Sequence, residues 1–162
     1  MLVDIQIISH GKAAFSYIET GIGPDELTVS FQGIRLTRSP VFTGRLTAAG
    51  NGVFKLDGCL ATGITGECAR CLVTVRRSLE VRVDEVFRPR AAQIEAEPDD
   101  SYPYDGFMVD LLPSLRDNLM LALPQRLLCR EDCRGICPDC GTDLNETSCN
   151  CAAKRSEANA PF

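Results

Sequence analysis

The constraint that dominates this chain is a crowd of thiols near its C-terminal end: Cys129-x3-Cys133-x3-Cys137-Pro138-Asp139-Cys140-Gly141, then Cys149-Asn150-Cys151 after a short loop. A segment this short and polar lacks the apolar residues to build a core, and a metal ion can replace that core. Zinc takes four ligands in a tetrahedron, with sulfur at about 2.3 Å, and a Cys-x2-Cys turn aims two sulfurs at one point. Gly141 permits the positive backbone angle that such a turn commonly uses. Cys137 and Cys140 are therefore the first candidate ligands. The second pair comes from Cys149, Cys151, Cys133 and Cys129, with Cys149 and Cys151 favoured because the 142–148 loop can fold back over the knuckle. Cys129 and Cys133, four residues apart, can alternatively share one helical face. The abundance of thiolates argues for a closed structural zinc site over a catalytic one with an open position, and over an iron–sulfur cluster.

A second Cys-x2-Cys stands alone at Gly66-Glu67-Cys68-Ala69-Arg70-Cys71-Leu72. Three readings are open: a redox dithiol, two further zinc ligands, or a tight turn. Strand-like flanks count against the redox reading, because a thioredoxin-type pair sits where a helix N-terminus lowers a thiol pKa. Cys59 reads as a small core residue.

Around these motifs the pattern is α+β: a mainly antiparallel β-domain over residues 1–90, an acidic linker over 91–109, a packing helix over 110–125, the cysteine-rich zinc-knuckle module over 126–151 and a flexible tail over 152–162. The β-rich runs are Val3 to Ile8, Leu27 to Phe31, Val41 to Thr47, Val53 to Leu56, Leu60 to Thr65 and Leu79 to Phe87. Turn residues separate them at Gly21 to Pro24, Ser39-Pro40, Ala49 to Gly52 and Asp57-Gly58. Strict alternation over Leu79 to Asp84 buries one face of that strand and leaves charges on the other. The linker carries five acids and no lysine or arginine from Glu95 to Asp105. Beyond it, Asp110 caps a helix whose Leu112, Leu115, Leu119 and Leu123 form a core-facing stripe that Pro124 ends.

Function is narrowed mainly by exclusion. The lone histidine, His10, belongs to no motif and reads as a surface residue; no phosphate-binding glycine loop or nucleophile elbow is present. The chain thus reads as a non-enzyme without a small-molecule substrate. The net charge of −5 argues against broad affinity for nucleic acid, which needs lysine and arginine to neutralise phosphates. Two arginine groups remain candidates for local RNA contact: Arg70, Arg76, Arg77 and Arg82, and Arg126, Arg130 and Arg134. Their alternative role is pairing with nearby acids. No stretch is long enough to span a bilayer, and no signal peptide is evident at the N-terminus, so a cytoplasmic location is expected, where clustered thiols favour metal over disulfides.

Three blocks then resemble a known family: Gly66 to Leu72, Asp110-Leu111-Leu112-Pro113 through Leu121-Ala122-Leu123-Pro124, and Cys129 to Gly141. In order and spacing they are similar to the YceD family, in its form with a cysteine-rich C-terminus, over roughly residues 40 to 151. The resemblance implies a bacterial ribosome-biogenesis role, supporting accumulation of large-subunit (23S) ribosomal RNA. The expected partner is that RNA or a large-subunit ribosomal protein. No catalytic residue carries over from the family. The rivals are a thiol oxidoreductase using Cys68 and Cys71, and a general zinc-dependent adaptor. The tail from Ala152 to Phe162 departs from the family pattern, lacking the Asp-Pro-Arg-like continuation and the leucines common in some members.

Overall fold

A computed structural model describes residues 1–23, 26–27, 30–31, 33–91 and 100–151. Its elements in chain order are β1 (Leu2–Asp4), α1 (Gln6–Ser9), β2 (Phe15–Gly21), β3 (Ser30–Phe31), β4 (Ile34–Gly50), β5 (Val53–Glu67), β6 (Thr74–Pro89), β7 (Tyr102–Tyr104), β8 (Met108–Asp110) and α2 (Leu112–Ala122). The α+β architecture is mainly strand, as the turn-punctuated pattern leads one to expect.

The main sheet runs β2-β4-β5-β6-β7, with β3 beside β4; its long central strands are antiparallel and only β6–β7 is parallel. β1 and β8 form a separate antiparallel pair. Alternation along β5 buries Leu56, Leu60 and Ile64 on one face, against Phe42 and Leu46 of β4 and Val81 and Val83 of β6. Onto this face packs α2, through the fully buried Leu115 and Leu119 of the leucine stripe. An Asn118 amide donating to Glu85 on β6 fixes its position. Asp110 accepts the Leu112 N–H at 3.1 Å, and the helix stops at Ala122, two residues before Pro124.

Several local readings change. Val3 to Ile8 does not stay a strand, because the chain turns into α1 after Asp4, whose carboxylate accepts the Gln6 N–H. Ser39-Pro40 and Asp57-Gly58 lie inside strands of 17 and 15 residues. Register shifts between Leu36 and Val41 absorb Pro40, as bulges do for a residue lacking a donor. Gly58 faces Gly44 across the β4–β5 pair, and a Cβ on either would come within 2.7 Å of the Phe42 ring. The glycine pair makes room for that ring rather than a turn. Within the stretch read as an acidic linker, Tyr102–Tyr104 and Met108–Asp110 are strands, and residues 92–99 lie outside the described residues. The tail 152–162 lies outside them too. His10 is exposed, its Nδ1 2.7 Å from the Gln6 carbonyl oxygen.

The other face of the sheet is open. Phe15, Tyr17 and Val41 stand exposed on it, and so does Cys59, which corrects the reading of that residue as core.

Candidate metal centres

The sheet places Cys68 and Cys71 in the turn between β5 and β6. After Glu67 ends β5, the Cys68 N–H donates to the Val73 carbonyl and the Leu72 N–H to the Cys68 carbonyl, closing a tight loop before β6. Leu72 is held there at φ +64°, a left-handed conformation that is costly for a bulky side chain and persists only where surroundings enforce it.

Those surroundings are the C-terminal module. The Ala69 N–H donates to the Leu127 carbonyl at 2.8 Å and the Ile136 N–H to the Arg70 carbonyl at 3.1 Å, so the module docks on the loop by backbone pairing. Arg70 reaches back to donate to the carbonyls of Glu131 and Cys133, and Arg77 to those of Leu128 and Cys129. Gly135 stands at φ +78° against this contact, where a Cβ would meet the Arg70 carbonyl oxygen at 2.9 Å.

The docking gathers the thiols of Cys68, Cys71, Cys129 and Cys133 within 4.8 Å of one another. Their sulfurs are 3.8 Å apart for Cys68–Cys133 and 3.6 Å for Cys71–Cys129. A tetrahedron with bonds of about 2.3 Å has edges of about 3.8 Å. The first quartet therefore has the dimensions of a metal tetrathiolate.

A second quartet, Cys137, Cys140, Cys149 and Cys151, meets the same 4.8 Å criterion. Its knuckle is formed by the Gly141 N–H donating to the Cys137 carbonyl and the Cys137 N–H to the Thr142 carbonyl, with Gly141 at φ +72°. The candidates Cys129 and Cys133 thus stand apart from the other four, paired with a turn more than fifty residues upstream.

Asn145 stands behind the first centre, and nothing in the sequence marked it. Its Nδ2 lies 3.5 Å from the Cys133 sulfur, and its Oδ1 accepts from Arg130 Nη2 and the Arg134 N–H. Its own N–H donates to the Asp143 carboxylate. Groups of this kind orient metal ligands from behind.

The electrostatics fit a cation. Burial raises the pKa of Cys68, but the backbone N–H groups of Cys71, Arg70 and Cys129 outweigh it and bring the thiol down to about 6. The Val73 backbone favours the Cys71 thiolate, yet burial and the neighbouring sulfurs push that thiol up to about 12. In the second quartet the Thr142 hydroxyl and N–H bring Cys140 down to about 6, while Cys140 itself, with burial, pushes Cys151 up to about 12. Each quartet accepts one negative charge readily and resists more, because like charges a few ångströms apart repel. A divalent ion supplies the charge that lets all four ionise.

Of the arginines singled out by sequence, Arg70 and Arg77 serve this docking and Arg130 serves Asn145, while Arg76 and Arg82 stand exposed on the open face of the sheet. Among the described residues, no helix is long and apolar enough to cross a membrane.

Comparison with known proteins places the chain in a family. Residues 56–161 match the family described as "Large ribosomal RNA subunit accumulation protein YceD". An uncharacterized protein of Mycobacterium bovis is 37% identical over 102 residues, 62% of this chain and 49% of its own length. One of Mycobacterium leprae is 33% identical over 90 residues, 54% and 41% of the two chains. The Zea mays protein named "Large ribosomal RNA subunit accumulation protein YCED homolog 1, chloroplastic" is 26% identical over 155 residues, 77% of this chain and 53% of its own. The chain spans about half the length of the mycobacterial relative first compared. No solved structure matches. The family match covers most of the chain, including the hairpin thiols, the packing helix and the C-terminal module, and this chain belongs to the YceD family.

Proposed function

We propose that this protein is a non-enzymatic ribosome-biogenesis factor that supports accumulation of large-subunit (23S) ribosomal RNA in the bacterial cytoplasm. It acts by binding that RNA or a large-subunit ribosomal protein. The observation that carries the reading is the family match over residues 56–161, together with the name borne by the maize relative. Zinc is the metal proposed for both quartets: four thiolates at tetrahedral spacing suit it, and four protein ligands leave no open position for a reacting water. The metal then holds structure, replacing the core that a module of this size lacks. Cells depleted of the protein should lose large-subunit ribosomal RNA relative to small-subunit RNA, and recover it with the wild-type gene. Unchanged RNA on depletion would favour the general zinc-dependent adaptor instead.

The oxidoreductase reading loses support from one geometric fact. Cys68 and Cys71 each stand within 4.8 Å of two further thiols, whereas a redox dithiol keeps an accessible attacking sulfur. A Cys71→Ser variant that keeps its fold yet no longer sustains the RNA, with metal content unchanged, would restore it.

A further inference from the structure

The open face of the main sheet is unused by the core, the helix and the metal centres. The strand registers lay it out in rows. At one end lie Phe15, Thr47 and Lys55, then Tyr17, Arg45 and Asp57. The middle holds Glu19, Thr43, Cys59 and Arg82, then Val41, Ala61 and Glu80. At the far end stand Arg38, Gly63 and Ser78, then Arg35, Thr65 and Arg76.

The two ends differ chemically. Phe15 is 51% and Tyr17 61% exposed, adjacent on one edge strand, and with Arg45 and Arg82 they border a shallow hollow. Two rings turned to water in a strand whose Ile18 is buried are costly to leave uncovered, and every nucleobase presents a π-face to such rings. The far end is basic. Arg35, Arg38 and Arg76 gather around Thr37, Thr65 and Ser78 with no acid lining either hollow there.

The spacing of that end follows from the sheet. Arg35 and Arg76 flank Thr65 on opposite sides, so their backbones are about 10 Å apart. Neither guanidinium has an ion-pair or hydrogen-bond partner among the described residues. Arg38 is fixed by the bulge: its guanidinium donates to the Thr62 carbonyl, and the Thr62 hydroxyl donates back to the Arg38 carbonyl. Three like charges collected in two rows that hold no carboxylate repel one another, and arginine is the side chain best shaped to relieve that with phosphate oxygens. The acids Glu19, Asp57, Asp84 and Glu80 occupy the rows on one side, and Glu67, opposite Thr74, lies one row beyond Arg35, Thr65 and Arg76. Grip on a polyanion is thereby limited to one end, in keeping with the net charge of −5.

We infer that single-stranded RNA lies along this face, its backbone phosphates held at Arg35, Arg38 and Arg76 and its bases stacked on Phe15 and Tyr17. The ends are about 33 Å apart along β5, ten residues at strand rise. That span suits a strand of several nucleotides, whereas in a duplex the bases are already stacked on each other and hidden from the rings. The inference rests on the RNA half of the proposed function.

The test is binding of a fluorescent single-stranded RNA of about 12 nucleotides to the full chain, measured across a salt series. In Arg35→Ala/Arg76→Ala, affinity should fall about tenfold at low salt, and the slope of log K against log salt should flatten by about 1.4, or about 0.7 for each phosphate no longer neutralised. Phe15→Ala/Tyr17→Ala should lose about tenfold or more with the slope unchanged, because stacking releases no counterions. Arg35→Lys/Arg76→Lys should keep most of the slope, and Phe15→Leu/Tyr17→Leu should reproduce the stacking loss in a sheet with its apolar surface retained. Wild-type binding with both alanine pairs unimpaired would overturn the surface and leave RNA binding elsewhere on the protein. A wild-type chain that binds no RNA, or binds a duplex as tightly as the single strand, would overturn the inference. Depletion would then still decide the biogenesis role, and protection of this face by a ribosomal protein would identify the other partner.

Discussion

The sulfurs of Cys68 and Cys133 lie 3.8 Å apart across a sequence separation of 65 residues. One belongs to the hairpin turn between β5 and β6, the other to the C-terminal module, so a metal bound there ties the module to the sheet. Closing a loop of that length costs several RT in entropy, which grows only slowly with length. A bound ion is an efficient tie over such a distance.

Purified protein should therefore contain about two equivalents of zinc. Cys133→Ser should remove one and free the module from the sheet, read as faster proteolysis between residues 124 and 151. Cys149→Ser should remove the other and leave the docking through Cys68 and Cys71 intact. A single equivalent, abolished by either substitution, would mean that the quartets do not fill independently.

The helix and the sheet were largely legible in the sequence, and the division of the thiols was not. Leu115 and Leu119 announce a packed helix because helical periodicity is local, and Val81 and Val83 do the same for a half-buried strand. The pairing of Cys68 with Cys133 is a tertiary event that no local spacing records. A weak signal existed: apart from the exposed Cys59, the cysteines fall into four close pairs, the number needed for two tetrahedra. β2 escaped notice because Phe15 and Tyr17 reverse the usual pattern, facing water while Ile18 faces the core. Asp57-Gly58 resembles a turn, and only the Phe42 ring across the sheet explains a glycine in mid-strand.

Arg77 should tighten the first centre selectively. Its guanidinium donates to the Leu128 carbonyl at 2.7 Å, next to the ligand Cys129. Arg77→Ala should cost about 1 kcal/mol, below the usual range for a charged donor because the side chain is exposed. Zinc transfer to a chelator should quicken from the Cys68 quartet and stay unchanged from the Cys137 quartet, as resolved by pairing Arg77→Ala with Cys149→Ser. Equal acceleration at both centres would contradict a local role.

Asn145 offers a complementary test, since it touches the Cys133 sulfur and holds the 130–134 backbone at once. Asn145→Ala should loosen metal at the first centre, by about 10-fold to 100-fold if it behaves as an outer-shell partner. Asn145→Asp, which keeps the acceptor but places a carboxylate beside a thiolate, should be at least as damaging. Retention of wild-type affinity in both would remove the residue from the metal site.

The glycine pair predicts a packing defect remote from both centres. In Gly58→Ala the new methyl would lie 2.6 Å from the Thr43 carbonyl oxygen and 2.7 Å from the Phe42 ring, with Gly44 directly opposite. Backbone cannot yield as a flexible side chain does, so unfolding in urea should show a loss of about 1–3 kcal/mol. Metal content should be unaffected. Adding Phe42→Leu should recover part of the loss by removing the ring, and a double variant no more stable than Gly58→Ala would show that the clash lies with the backbone alone.

Acid should release the metal, and the direction follows from the thiols. Cys68 and Cys140 have folded pKa values of about 6, below the ordinary 9.0, so their contribution to stability is full above 9.0 and is lost as pH falls through 6. Cys71 and Cys151 are shifted the other way, up to about 12, and favour the fold below 9.0 until rising pH deprotonates them. In the metal-free protein near neutrality, each quartet thus presents one thiolate to receive an incoming cation. The remaining protons leave as zinc binds, so affinity must fall as pH falls. Chelator competition between about pH 7.5 and about pH 5 should show release that grows throughout as pH falls and steepens further below about 6. Cys140→Ser should move release at the second centre to higher pH without altering the first. Release that grows toward alkaline pH would overturn the assignment of thiolate ligands.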